Sequence, residues 1–224
     1  MMEQLNGGRL RVVKLGGSLL DWPEFPGQLR LWLRRQPPAT NVLLVGGGEF
    51  ADVIRRADTC HSLGEYASHH LCIQTLQVTA QMAAQLLPEA RGPLRLECIE
   101  PAPNHSLVLL DVPALIELDT ARSVRPLPAS WEVTTDSIAA RAAVLLKADE
   151  LVLLKSDLVD RPGSLTELAA AGLVDGHFPV CAKSIANIRL VNLRSANFLE
   201  LIAVEGGRPN RRYGVGLPKP PSNL

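Results

Sequence analysis

The chain has 224 residues, 46% of them hydrophobic, which suffices to bury one substantial core and requires no second domain. Its 23 basic side chains balance 23 acidic ones, so no net field recruits nucleic acid or an anionic membrane, and any anion must be gripped locally. Cys60, Cys72, Cys98 and Cys181 form no C-x-x-C pair, which argues against a zinc knuckle or a disulfide framework and for small buried hydrophobes.

Met1 to Arg11 is polar and lacks the apolar core of a signal peptide, and nowhere do apolar residues run long enough to span a bilayer, so a cytoplasmic location is expected. Leu10 to Leu15 reads as a buried strand ended by Gly16-Gly17, and Val42 to Val45 followed by Gly46-Gly47-Gly48 repeats that grammar. Between them, Gly27 to Gln36 holds a helix stopped by Pro37-Pro38. Helical spacing returns through Phe50, Val53 and Ile54, and again from Glu65 to Leu87, where Leu71, Thr75, Val78, Met82 and Leu86 share one face. Leu94 to Ile99 and Leu107 to Leu110 are short candidate strands, and Val112 to Glu117 is a short helix. Trp131-Glu132-Val133 reads as a short strand or loop; Thr134-Thr135-Asp136 then opens an alanine-rich helix to Lys147, one of these polar side chains being its N-cap. Leu151 to Leu154 has the unbroken apolar character of a central parallel strand. Ser164 and Glu167 have capping-box spacing and start a helix to about Ala171. Arg189 to Asn192 is a last strand, followed by a helix over Ala196 to Ile202 and a loose tail. The alternation predicts an α/β protein, a three-layer αβα sandwich around an open, mainly parallel sheet. It forms a single domain over residues 1–224, with a core over about 10–204 and a tail over 205–224.

Open α/β sheets bind ligands where the strands' carboxyl ends meet the next helices, and both glycine turns fall at such ends. Glycine lets backbone amides approach phosphate oxygens without a Cβ in the way, and a helix N-terminus adds partial positive charge. Lys14, one position before its strand's end, can reach over the turn to neutralise a transferred phosphate; the bland alternative is a tight turn beside a surface lysine. Gly46, Gly48 and Ala51 also fit the G-x-G-x-x-A dinucleotide fingerprint, but the acidic residue that should end the next strand is replaced by a helical region with His69 and His70. No G-x-x-x-x-G-K-[ST] string occurs, which excludes a Walker-type P-loop.

Val13-Lys14-Leu15-Gly16-Gly17-Ser18, Val45-Gly46-Gly47-Gly48, Thr135-Asp136-Ser137-Ile138-Ala139 and Leu153-Leu154-Lys155-Ser156-Asp157-Leu158-Val159-Asp160 together, in this order and spacing, resemble the amino-acid-kinase family. The resemblance spans roughly residues 10–204. Within the family, Gly48-Glu49-Phe50-Ala51-Asp52, the His69-His70 pair and Val174-Asp175-Gly176-His177-Phe178-Pro179 are most similar to the aminomethylfuran phosphate kinase branch, which serves methanofuran synthesis in one-carbon metabolism.

The resemblance implies an ATP- and Mg2+-dependent phosphotransferase acting on a small phosphorylated or carboxylated metabolite, and a homo-oligomer; the helix from Glu65 to Leu87 is the candidate interface, its apolar residues alternatively all facing the chain's own sheet. It implies that Lys14, Gly16, Gly17 and Ser18 hold the nucleotide phosphates and that Gly46, Gly47 and Gly48 face the acceptor or the transferred group. By the same resemblance, Asp136 orients the catalytic lysines, though an aspartate at a helix start can also be a plain N-cap. Lys155 stands where many relatives carry threonine and can serve as a second phosphate ligand. Asp157 and Asp160 can hold ribose, magnesium through water, or a turn. One of His69 and His70 can donate to the acceptor, an ordinary helix histidine being the alternative. No protein metal site is expected.

The family's G-G-M-x-x-K loop, which supplies a second lysine in several relatives, is missing, so Lys155 or Lys183 must substitute. Asn192-Leu193-Arg194 replaces a small glycine turn. An active kinase and a catalytically silent nucleotide-binding or regulatory relative both remain open: Lys14 with Asp136 favours the first, loss of the loop lysine the second.

Overall fold

A computed structural model describes residues 8–102, 105–158, 164–203 and the backbone of 211–212. Among the described residues eight strands form one sheet in the order β3-β4-β2-β1-β5-β6-β7-β8. They are β1 (Leu10–Leu15), β2 (Thr40–Val45), β3 (Arg91–Leu94), β4 (Ser106–Leu110), β5 (Glu150–Lys155), β6 (Ile188–Asn192), β7 (Glu200–Ala203) and β8 (Arg211–Arg212). The first six pair in parallel; β7 and β8 close one edge antiparallel. The predicted α/β class and mainly parallel sheet are thus observed.

Central strands buried on both faces need apolar residues through their middles, and β1, β2 and β5 supply them at Val12-Val13, Val42–Val45 and Leu151–Leu154, with polar residues kept toward the strand ends. Period-two alternation divides these side chains between two cores. Val13, Leu15, Leu43, Val45, Val152 and Leu154 pack on α1 (Phe25–Arg34) through Phe25, Leu29 and Trp32. Val12, Val42, Leu44, Leu151 and Leu153 pack on the opposite layer. That layer comprises α3 (Glu65–Leu86), α4 (Val112–Arg122), α5 (Thr135–Leu145), α6 (Leu165–Ala170) and α7 (Phe178–Ala182). The remaining helix, α2 (Glu49–His61), buries none of its own residues and lies against α3.

Arg11 and Glu150, at the amino ends of β1 and β5, are buried by pairing: Arg11 Nε donates to Glu150 Oε2 at 2.5 Å, and Arg189 bridges Glu150 at 2.8 Å and Glu200 at 3.0 Å. This network pins the amino ends of four strands. The glycine turns follow the carboxyl ends of β1 and β2.

Several local expectations are corrected. Residues 196–202 form no helix: Glu200–Ala203 pairs with β6, whose antiparallel register satisfies its backbone. Strand β3 ends at Leu94, and Leu96–Cys98 is a 3-10 turn. The helix begun at Val112 runs on to Arg122. On α3, Ile73, Leu76, Ala80 and Ala83 face the core, while Leu71, Val78, Met82 and Leu86 point outward. Cys60 and Cys98 are exposed and Cys72 and Cys181 half-buried, so none behaves as a fully buried hydrophobe. Asp160 and most of the 205–224 tail lie outside the described residues.

Candidate active site

The sheet's winding reverses between β1 and β5: β1 leads through α1 to β2 on one side, and β5 leads to β6 on the other. The carboxyl ends of β1 and β5 meet at this switch point, the usual ligand position in an open α/β sheet. Alternation turns Lys14 of β1 and Lys155 of β5 to the same face, where the first turn of α5 brings Asp136. Lys14 Nζ lies 3.0 Å from Asp136 Oδ1, and Lys155 Nζ donates to Oδ2 at 2.7 Å. One buried carboxylate therefore bridges two ammonium groups.

The electrostatics follow from this bridge. Burial pushes the Asp136 pKa up, but Lys14 and then Lys155 outweigh it and hold the carboxyl below its ordinary range. Burial and repulsion from Lys14 pull Lys155 down to about 8, against the attraction of Asp136. Asp136 is not the N-cap: the Thr134 hydroxyl accepts from the Asp136 amide, which leaves the Asp136 carboxylate free to face the lysines.

The two glycine turns pack directly on each other. A Cβ on Gly17 would stand 2.1 Å from the Gly48 amide nitrogen, so backbone contact between the turns demands glycine there. Gly48 itself has φ +55° and ψ −141°, a conformation nearly restricted to glycine. On the β1 side, Ser18 Oγ lies 3.0 Å from Ser156 Oγ, and Arg194 donates to the Ser18 carbonyl at 3.2 Å with its guanidinium over the Trp22 ring.

On the α2–α3 side opens a cavity of about 250 Å3 lined by Lys14, Gly17, Gly46, Gly47, Gly48 and His69. Its apolar wall is Ile73, Leu76, Val133 and Ile138. Arg55 lies over the Trp131 ring at its mouth and pairs with Asp52 at 2.5 Å, while Trp131 Nε1 donates to Asp58 at 2.9 Å. Burial lowers the pKa of His69, against the hydrogen-bonding contact of Nδ1 with the Ser130 carbonyl at 3.2 Å. Its ring is therefore neutral near pH 7.

Lys14, the two glycine turns, Asp136, Lys155 and His69 are thus brought together. His70 is not: it is exposed and does not line the cavity, its Nδ1 3.0 Å from the Tyr66 carbonyl. Lys183 is exposed at the end of α7 and forms no ion pair with Asp136, and Asp157 is exposed just past β5. Among the described residues no cluster of three or more His, Cys, Asp or Glu side chains is arranged to hold a metal ion. Sequence reasoning missed the Arg55–Trp131 stack and the role of Asp175, whose carboxylate accepts from Thr134 and Ser137 at the start of α5. Both contacts join segments far apart in the chain, and no local spacing signals them.

Comparison with known proteins gives consistent results. A family model described as the amino acid kinase family matches residues 9–157. A curated protein of Methanocaldococcus jannaschii, [5-(aminomethyl)furan-3-yl]methyl phosphate kinase, is 26% identical over 198 residues, covering 83% of this chain and 88% of its own length. The crystal structure of uridylate kinase from Archaeoglobus fulgidus superposes with a TM-score of 0.52 at 17% identity, covering 81% of this chain and 89% of that one. Aspartate kinase from Synechocystis superposes at 0.53 and 17% identity, covering 90% of this chain and 42% of that one. These superpositions concern the fold.

Proposed function

The chain belongs to the amino acid kinase family, and from that premise we propose that it is an ATP-dependent phosphotransferase whose centre is the Lys14–Asp136–Lys155 bridge. The single observation carrying this reading is that bridge, two ammonium groups held on one buried carboxylate at 3.0 and 2.7 Å beside two packed glycine turns. Phosphoryl transfer asks little covalent chemistry of a protein and depends on positioning and on neutralising charge. The nucleotide enters as Mg-ATP, the metal carried on its phosphates. The Gly16–Ser18 turn holds these phosphates, and Lys14 and Lys155 face the group in flight. Lys155 supplies the second ammonium that the missing glycine-loop lysine supplies in several relatives, which supports an active enzyme over a silent binder.

The acceptor occupies the cavity under α2 and α3. Its oxygen forms the new bond to the γ-phosphorus while the bond to the bridging oxygen breaks, and that electron pair leaves with ADP. Asp136 is committed to two lysines and is no general base, which favours an acceptor oxygen already ionised, a phosphate or a carboxylate. The apolar wall suits a small planar ring, and Arg55 and Asp52 at the mouth can meet an anion or an amine. An aminomethylfuran phosphate, the substrate named for the M. jannaschii relative, combines these features, and its product is a diphosphate. That acceptor would make the reaction a step of methanofuran synthesis.

The test is ATP consumption with [5-(aminomethyl)furan-3-yl]methyl phosphate, beside a thermal-shift series with ATP, ADP and NAD, each with and without Mg2+. Stabilisation by ATP and formation of ADP with a diphosphorylated product are expected. Stabilisation by NAD alone, or ATP binding without turnover at high enzyme concentration, counts against the proposal.

A further inference from the structure

We propose that Asp175 is a positioning residue for the transfer centre, its carboxylate clamping the first turn of α5 so that Asp136 holds both lysines in place. The inference rests on the reading of Lys14, Asp136 and Lys155 given above. Asp175 lies in the turn between α6 and α7, yet its Oδ2 accepts from the Thr134 amide at 3.0 Å, the Thr134 hydroxyl at 2.8 Å and the Ser137 amide at 3.0 Å. Its Oδ1 accepts from the Ser137 hydroxyl. The clamped residues flank Asp136 on both sides.

Ordinary helix caps come from a residue next to the helix. Here the acid comes from about forty residues along the chain, as the separations of 41 and 38 show, so the position of the α5 start is tied to the α6–α7 turn. The same turn reaches the cavity wall, where the His177 amide donates to the Glu132 carbonyl. One short segment thereby sets both the bridge and the loop bounding the acceptor cavity.

Charge gives the clamp a second consequence. Lys14 and Lys155 carry two positive charges against the single negative charge of Asp136, leaving this buried group one positive charge in excess. Asp175 stands behind it as the second carboxylate and supports the charged form of Lys155. The charged groups acting on Lys155 are thus Lys14 from β1, Asp136 from α5 and Asp175 from the α6–α7 turn.

The experiment follows the Lys155 side-chain titration by NMR in the full chain, its resonance assigned by loss in Lys155→Arg. The wild-type midpoint is expected at about 8. Asp175→Asn should lower it and Asp175→Glu should return it toward the wild-type value. With Mg-ATP and the aminomethylfuran phosphate probe, Asp175→Asn should lose about tenfold to a hundredfold in kcat while the KM for ATP stays close to wild type.

A folded Asp175→Asn variant with lower melting temperature but unchanged Lys155 midpoint and kcat marks a plain helix cap and overturns the proposal. If that variant fails to fold, Ser137→Ala and Thr134→Val remove contacts to the carboxylate while keeping its charge. Each should lower the Lys155 midpoint, and an unchanged midpoint in both overturns the proposal. Absence of turnover in the wild type counts against the kinase reading alone, because the Lys155 midpoint still decides the role of Asp175.

Discussion

Lys155 is the residue at which the environment changes chemistry most. A lysine with a pKa near 8 loses its charge within the range of ordinary assay conditions, whereas a solvated lysine does not. Its ammonium is the useful form, fully present below that value and lost as pH rises through it. The kcat/KM for Mg-ATP in the free enzyme should therefore fall as pH rises through about 8. Lys155→Arg, which stays charged, should abolish that alkaline limb, as a pH–rate series will show. Lys14→Ala leaves the Lys155–Asp136 pair intact and should remove transfer while circular dichroism and melting remain close to wild type. Asp136→Ala differs in kind, since it strands two ammonium groups against each other. It should cost about 3–5 kcal/mol in urea unfolding as well as activity. Lys14, Asp136 and Lys155 were legible because each stands at a strand end or helix start, where the chain's grammar is strongest. Asp175 was not, because its partners are distant in sequence, and adjacency hid the difference between a buried His69 and an exposed His70 on α3.

Among elements, the glycine turns and the strands before them were the most legible. A mostly apolar run with β-branched residues ended by glycine has few alternatives, and β1 occupies the predicted residues. What the motif did not reveal is that the turns touch, so Gly17 is required by the neighbouring backbone as well as by any ligand. Gly17→Ala must push the two turns apart; a loss of about 1–3 kcal/mol in urea unfolding is expected, with loss of ATP stabilisation in a thermal shift. Retained ATP stabilisation in this variant would show that turn contact is not needed for the cradle. The segment 196–202 was misread because Phe198, Leu199, Leu201 and Ile202 form a short apolar run, and periodicity in such a run cannot distinguish helix from strand. The vacant edge of β6 decides for a strand. On α3 the helix was legible but its buried face was not, because apolar residues occupy both faces. The core takes the alanines at 80 and 83, which allow close approach to the sheet, and the larger Val78, Met82 and Leu86 are left outside.

That inversion bears on the whole molecule. From Tyr66 to Leu86 the chain contains no Asp, Glu, Lys or Arg, so the outward face of α3 is an uncharged stripe of apolar and glutamine side chains. Helix α2 beside it buries nothing, and Phe50 and Val53 add to the exposed apolar surface. Across a twofold axis the α3 stripe of a second copy brings no charge against this one, the exposed charges of the face being those of α2 (Asp52, Arg55 and Arg56), and the chain's net charge of zero adds no long-range repulsion. A homodimer through α2 and α3 is therefore expected at micromolar concentration by light scattering. Val78→Glu, 45% exposed in the single chain and so harmless to its core, should shift the mass to the monomer. Because α2 starts at Gly48 and carries Asp52 and Arg55 to the cavity mouth, dimerisation should also steady the acceptor side. The monomeric variant should then show a raised KM for the acceptor with the KM for ATP unchanged, while a monomeric wild type removes the basis for this expectation.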